Sequence, residues 1–551
     1  MKLMVVNALA ELRDLSTLSK EKLTDLVEIP KDSKLGDYAF PCFPLASKLK
    51  KSPVQIAQEL AKAISKDCFD KVESSGPYVN FFISKSILVK QAIKNASKAN
   101  FGKGKERGKI LIDYSGPNVA KHFGIHNLRS TLIGHALYNI LKFSGYKVRS
   151  INHLGDWGTQ FGKLIVSYNM FGKKSKIEDI ESLNKLYVKF HDCAEKDPKL
   201  EEKARLEFKK LESEDKENLR LWKLFLKISL KEFNKTYKIL GIKFDQTKGE
   251  SFYRDKIDNV FELLKKNKLV EESEGAMVVK LSGEKPPLIV KKSDEASTYA
   301  TRDLATIFER LKEKPSKILY VVDVAQSLHF EQVFEVVGKL GIDTDKLVHV
   351  KFGRLKFPDS QMSTRKGNVI LFEELLSKAK EEIIKIIKDK NPELKDKDKV
   401  AEHVALSAII FHDLRNFRTH DIIFDWSSAL SFEGRSGPYI LYTYARASSI
   451  LKKSNSKKGN SEFEDIHEKE FQLAKKINEF PEMISKSARD YSPSTLSEYS
   501  YELAQMFNEF YHACPVIGDK NEGRRIALLQ AFCKILATSL DLLGIAPVKE
   551  M

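Results

Sequence analysis

Residues 109–164 read KILIDYSGPNVAKHFGIHNLRSTLIGHALYNILKFSGYKVRSINHLGDWGTQFGKL, and this stretch decides the fold. A short apolar run, Ile110, Leu111 and Ile112, ends at Asp113. A turn of Ser115, Gly116, Pro117 and Asn118 follows, then a loop rich in Gly and His. From Leu128 the apolar residues recur at helical spacing through Leu132, Ala136 and Ile140, and Gly145 closes the helix. A second apolar run, residues 146–151, leads into HLGDWG. Strand, loop, helix and strand in this order predict a parallel α/β unit. Ligands bind such units beyond the carboxyl end of the first strand, with anions at the helix N-terminus. Asp113, Asn118, Lys121, His126 and Asn127 all fall on that loop.

The pattern spreads outward from this unit. Residues 318–323 are apolar nearly throughout, as a strand buried on both faces must be. Further strand-like runs at 277–281 and 287–290 predict one sheet, split in sequence by a Lys-, Glu- and Leu-rich helical hairpin over about 172–240. Residues 1–105 read as a small α+β domain, with helical faces before residue 29 and after Pro53, and a strand at 78–83. A Gly/Lys hinge, FGKGKERGK, closes it. Residues 106–400 form the central domain, and 401–551 are expected to be helical throughout. Leu503, Phe507, Phe510, Tyr511 and Cys514 share one helical face there; Ile526, Leu529, Phe532, Cys533 and Leu536 share another.

A chain of 551 residues exceeds one core and suits roughly three or four domains. Its formal charge of +17 favours a polyanionic partner, nucleic acid before membrane, although a Lys-rich surface alone gives the same number. The five cysteines form no CxxC pair, which argues against a disulfide framework or a zinc knuckle. No 18-residue apolar run occurs, and charge comes too early in MKLMVVNALAELRDL for a signal peptide, so a cytoplasmic, membrane-free protein is expected.

Alone, each motif is modest: a His in a loop is more often structural than catalytic, and QMSTRKGN (361–368) could be a solvated basic turn. Together they suit a carboxylate attacking the α-phosphate of ATP, which needs in-line geometry and positive charge around the phosphates rather than a covalent nucleophile.

Over nearly its whole length the sequence resembles the arginyl-tRNA synthetases, a class I family. The resemblance rests on SGPNVAK, LRSTLIG, NHLGDWGTQFG, YATRDLA, VVDVAQSLHFEQVF, MSTRKGN, SGPYILYTYAR and ELAQMFNEFYHACPV. It implies a Rossmann-like catalytic domain, an N-terminal domain that contacts the tRNA elbow, and a helical anticodon-binding domain. It implies tRNA(Arg), L-arginine and ATP with its Mg2+ as ligands, no zinc, and a monomer. MSTRKGN stands where class I enzymes carry a phosphate-binding loop, which places Met362, Ser363, Arg365 and Lys366 on ATP. Lys121, before the first signature, would share that work. The family reads His-x-Gly-His at that signature; here the residues are Gly124, Ile125, His126 and Asn127. Asn127 can donate where the family has His, and either His122 or His126 could replace the lost imidazole. The catalytic set is therefore Lys121, His126, Asn127 and Lys366, with His122 and Gly124 also beside ATP.

A guanidinium is permanently charged and planar and asks for carboxylates. Asp113 and Asp303 are the candidates, with Tyr299 one helical turn from Asp303 to cover the side chain. The resemblance sets Asn118 and Gln326 on the substrate's α-amino and carboxylate ends, beside Gly116, Pro117 and Asn127. The competing readings are a catalytically inactive tRNA-binding relative, motivated by the altered signature, and a nucleotidyltransferase that shares it but leaves the outer domains unexplained.

Overall fold

The computed structural model describes residues 1–16, 18–172, 177–293, 298–357, 371–454 and 463–551. Near the N-terminus, Tyr38–Pro41 and Phe69–Ser75 pair antiparallel on either side of Tyr78–Ile83. Helix Pro53–Ala63 covers this sheet with Ile56, Ala57, Leu60 and Ala61, and a capping box between Ser52 and Gln55 starts it.

The central sheet has five parallel strands: β1 (Lys109–Asp113), β2 (Lys147–Asn152), β3 (Gln246–Thr247), β4 (Lys317–Tyr320) and β5 (Leu347–His349). Their spatial order is β5-β4-β1-β2-β3. The chain runs outward from β1 in one direction, then crosses back to β4 on its other side. The crevice at that reversal opens where Asp113 lies opposite Tyr320.

Three expectations need correction. The strand-like runs after the insertion do not join the parallel sheet. Val270–Ser273, Ala276–Val279 and Leu288–Lys291 form their own antiparallel sheet. The reason is local: Glu274 and Gly275 both have positive φ and make a two-residue hairpin turn, which forces antiparallel pairing. The insertion is three helices rather than a hairpin: Ile180–Ala194, Lys199–Glu212 and Lys216–Ile239. Pro198 precedes the second, and Glu214, at φ 60, breaks the chain before Asp215 caps the third. The C-terminal region is not purely helical, because Ile422–Ile423 pairs in parallel with Leu355–Lys356.

The two predicted helical faces in this region are buried apart from Tyr511, and the Phe507 and Phe532 rings stack at 4.3 Å. Helix Ile125–Phe143 packs its buried face both on the sheet and on the C-terminal helices. Arg129, 1% exposed, joins them: its Nε lies 3.3 Å from Asp413 Oδ2, and its Nη1 donates to the carbonyls of Gly353 and His420. The helix that opens at the crevice is thereby tied to the bundle.

Two histidines lie at this seam. Burial pushes His135 down to about 4, and burial with the Arg415 charge does the same to His412. A depressed histidine stays neutral in the fold but is protonated when unfolded. Its stabilising contribution is therefore complete above pH 6.5 and is lost as pH falls toward 4, on the order of 1–3 kcal/mol per residue. Urea melts across that window should show His412→Phe losing less stability than the parent. An identical slope would remove His412 from the account.

Candidate active site

The loop after β1 is held in an unusual backbone course. Ser115, Gly116 and Ala120 all have positive φ, a conformation that side chains adopt only when surrounding contacts enforce it. Those contacts are present. Ser115 N donates to Ser130 Oγ at 3.0 Å, and Gly116 N to Asn152 Oδ1 at 3.2 Å. Tyr237 OH lies 2.8 Å from Ser115 Oγ and accepts from Asn152 Nδ2 at 3.0 Å. Ala120 N donates to Ser229 Oγ at 2.9 Å. Tyr237 and Ser229 come from the last insertion helix, so the insertion shapes the loop. HLGDWG serves the same loop: a Cβ on Gly155 would lie 2.1 Å from Asn118 Oδ1, and only glycine lets that amide approach. Helix Ile125–Phe143 then begins at Gly124 with no side-chain cap, leaving its first amides open to an anion.

A cavity of about 670 Å³ opens here. Asp113, Gly116, Asn118, His126, Asn127, Tyr299, Asp303 and Gln326 all line it, brought together from four separate stretches of sequence. Pro117, Lys121, His122 and Gly124 are not part of its wall. Pro117 contributes its carbonyl to Gly155 N. Lys121 has its Nζ 5.5 Å from the centroid of the Tyr187 ring of the insertion. His122 turns away: its Nε2 is 2.9 Å from Glu181 Oε2. Of the two histidines at the signature, His122 is thus paired with a carboxylate of the insertion. His126 faces the cavity, and burial beside Lys121 lowers its pKa, which keeps it neutral. Met362, Ser363, Arg365 and Lys366 lie outside the described residues. Leu371, just beyond them, pairs with Gly124, so that segment ends against the signature loop.

Four carboxylates line the cavity: Asp113, Glu250, Asp303 and Asp323. Three have a guanidinium partner within the protein. Arg310 Nη2 is 2.7 Å from Asp113, Arg302 Nη1 holds Glu250, and Arg354 Nε is 3.4 Å from Asp323. Asp303 Oδ2 is 2.6 Å from His329 Nε2. Among the described residues it is the cavity carboxylate without an arginine or lysine partner. Asp113 faces the cavity with Arg310, 3% exposed, already at its carboxylate. The second carboxylate near Asp303 is Glu250, whose pKa burial raises, with Asp303 adding to the rise. Sequence reading missed Glu250, Arg302, Arg310 and His329. The available signal was positional: Glu250 lies three residues past the carboxyl end of β3 and Asp113 is the last residue of β1, but β3 has two residues and no legible pattern.

Three family models match the chain. "tRNA synthetases class I (R), catalytic domain" covers residues 88–426, "DALR anticodon binding domain" 440–551, and "Arginyl tRNA synthetase N terminal domain" 2–83. An arginine–tRNA ligase of Clostridium botulinum (strain Langeland) is 44% identical over 559 aligned positions, covering 99% of each chain. One from Clostridium perfringens (strain 13) is also 44% identical, covering 97% of each. Among solved structures, Thermus thermophilus arginyl-tRNA synthetase superposes with a TM-score of 0.83 at 26% identity, covering 100% of both chains. The Plasmodium falciparum enzyme gives 0.81 at 26%, covering 100% of this chain and 98% of its own.

Proposed function

The chain belongs to the arginyl-tRNA synthetase family, and from that membership we propose how its residues divide the work of joining arginine to tRNA. The reaction is that of an arginine–tRNA ligase. The carboxylate of arginine attacks the α-phosphorus of ATP and displaces pyrophosphate. A ribose hydroxyl at the 3′ end of tRNA then attacks the activated carbonyl and releases AMP. An inactive tRNA-binding relative is the poorer account, because the catalytic-domain model matches and the full-length relatives are arginine–tRNA ligases.

The observation that carries the residue assignment is Asp303, the cavity carboxylate left without an arginine or lysine partner among the described residues, one turn from Tyr299 on the same helix. We assign the substrate guanidinium to Asp303 with Glu250 beside it, and the stacking surface to Tyr299. Asn118, Asn127 and Gln326 take the α-amino and carboxylate end. Lys121, His126 and the open helix N-terminus take the phosphates, together with Lys366. Mg2+ travels with the nucleotide's phosphates. Three of the four cavity carboxylates are already held by arginines, and none of the protein's steps is routed through the ion. Pyrophosphate exchange assayed with each of the twenty amino acids tests the substrate assignment; exchange driven best by lysine would defeat it.

Residues 1–105 and 401–551 are read as tRNA-contacting domains around the catalytic residues 106–400. Of the aromatic and basic residues at the start of Gly437–Lys453, Tyr444 is 8% exposed and packs inward, whereas Tyr442 is 40% exposed. Arg446 lies over the rings of Tyr442 and Tyr511, at 4.9 and 5.8 Å, in a cavity of about 970 Å³ that Lys395 and Lys453 also line. Such a surface suits an unstacked base beside a phosphate. Tyr442→Ala should weaken tRNA binding by about 1–3 kcal/mol, the usual cost of one base–aromatic stack, with the ATP KM unchanged. Equal tRNA affinity in a titration would move the contact elsewhere. The reading includes a monomer working in the cytoplasm, where translation takes place; no helix among the described residues is long and apolar enough to cross a membrane.

A further inference from the structure

Arg302 stands next to Asp303 in the sequence, yet it is not part of the cavity wall. Its side chain is 12% exposed and lies behind two residues that are. Nη1 holds Glu250 Oε2, and the guanidinium carbon sits 4.5 Å from the centroid of the Tyr299 ring. The Tyr299 residue is 70% exposed, so Arg302 is a fixed surface against which the ring can lie. Arg302 itself is confined. Its Nη1 passes 3.9 Å from the Cβ position of Gly158, and it lies close enough to Glu212 of the insertion for its charge to oppose the rise that burial gives that carboxylate's pKa. Nε, buried, has no hydrogen-bond partner among the described residues.

Two consequences follow from elementary electrostatics. Without Arg302, Glu250 and Asp303 would be neighbouring carboxylates in a partly buried site, and like charges there resist joint ionisation. With it, one charge is cancelled and a single carboxylate awaits a single cation. The guanidinium 4.5 Å from the ring centroid also gives Tyr299 a broad contact surface, which a lysine would not match, since an ammonium has neither a planar face nor a fork.

We propose that Arg302 is the positioning residue of the amino-acid pocket: it braces Tyr299 from behind and pins Glu250, so that the wall facing Asp303 is preformed for one planar cation. This rests on the reading that Asp303 and Tyr299 hold the substrate's side chain. It makes Arg302 a determinant of arginine affinity that never touches arginine.

The test is pyrophosphate exchange by the full-length protein with arginine titrated, in the presence of tRNA, for Arg302→Ala and Arg302→Lys, each with and without added guanidinium chloride at tens of millimolar. Both variants should raise the arginine KM roughly 10- to 100-fold, the loss typical when a positioned group is misplaced, while kcat and the ATP KM change by less than about threefold, as expected when binding rather than the transition state is affected. Guanidinium should lower the KM of the alanine variant by refilling the slot, yet inhibit the parent by competing at Asp303. A purely architectural arginine would show no such opposite response. The proposal is overturned if Arg302→Ala keeps the parental KM, if Arg302→Lys restores it, or if guanidinium inhibits parent and variant alike. Should Arg302→Ala fail to fold in a thermal melt, the lysine variant decides the matter through the same KM. Asp303→Asn assayed alongside separates the two levels: a parental KM there defeats the pocket assignment, whereas a raised KM there with parental values for the Arg302 variants defeats this inference alone.

Discussion

Asp303→Asn is expected to give a folded protein whose arginine KM rises by tens to a thousandfold while its ATP KM stays put. The asparagine keeps the size and one acceptor but removes the charge, and it turns an amide donor toward a guanidinium that has only donors to offer. Truncating one partner of a desolvated charge pair costs about 2–5 kcal/mol, much of it from leaving the other ion unmatched. Asp303 is 35% exposed in the free protein, so solvent screening holds the expected loss to the lower part of that range, about 2–4 kcal/mol. Folding should survive, since the partner that Asp303 leaves behind, His329, is also part-exposed. Asp113→Asn is the informative contrast. There the abandoned partner is Arg310, 3% exposed, and the charge left unmatched is the protein's own. Its signature should be a lowered melting temperature before any selective change in arginine KM. The assignment of the two carboxylates fails if the roles reverse, with Asp303→Asn melting early at a parental KM and Asp113→Asn folding normally with a raised one.

That contrast marks where the sequence could and could not be read. Strand β1 and the helix after it were legible because Ile110, Leu111 and Ile112 form an unbroken apolar run and Leu128, Leu132 and Ile140 keep helical spacing. The crevice followed from their order. What did not follow was the partner of each charge. Arg310 ends a helix beside Lys312 and Glu313, a setting that reads as solvated, and its burial against Asp113 exists only once β1 and β4 are neighbours. The same holds for His122, which looks in sequence like a spare imidazole but is claimed by Glu181 from an insertion whose packing no local pattern announces. The antiparallel sheet was a different failure. The Glu274–Gly275 turn was visible as a dipeptide, and the apolar runs around it were weighed by hydrophobicity alone.

The phosphate side of the pocket carries the other large effect. As arginine's carboxylate attacks, negative charge builds on the oxygens of the α-phosphate, and donors already in place there contribute about 2.7–4 kcal/mol each. Gly124 has no side chain to donate, and His122 is paired with Glu181, so on the proposed assignment the donors at this loop are Lys121, Asn127, His126 and the first amides of Ile125–Phe143. Fewer side chains sharing the charge make each one matter more. Lys121→Ala and Asn127→Ala should each lower kcat by about 100- to 1000-fold, in keeping with that range, and leave the arginine KM within about threefold, because they act on the transition state rather than on arginine. Lys366→Ala should behave in the same way if Lys366 shares the phosphate charge. Lys121 also offers an internal check. Its ammonium sits over the Tyr187 ring and helps keep His126 neutral, so removing it should let the His126 pKa rise toward the ordinary value as well as slow the reaction. Single-turnover adenylate formation followed from pH 5.5 to 8 would show both changes. Parental rates in Lys121→Ala and Lys366→Ala together would leave the α-phosphate to Asn127, His126 and the helix amides, and the two-loop clamp would have to be abandoned.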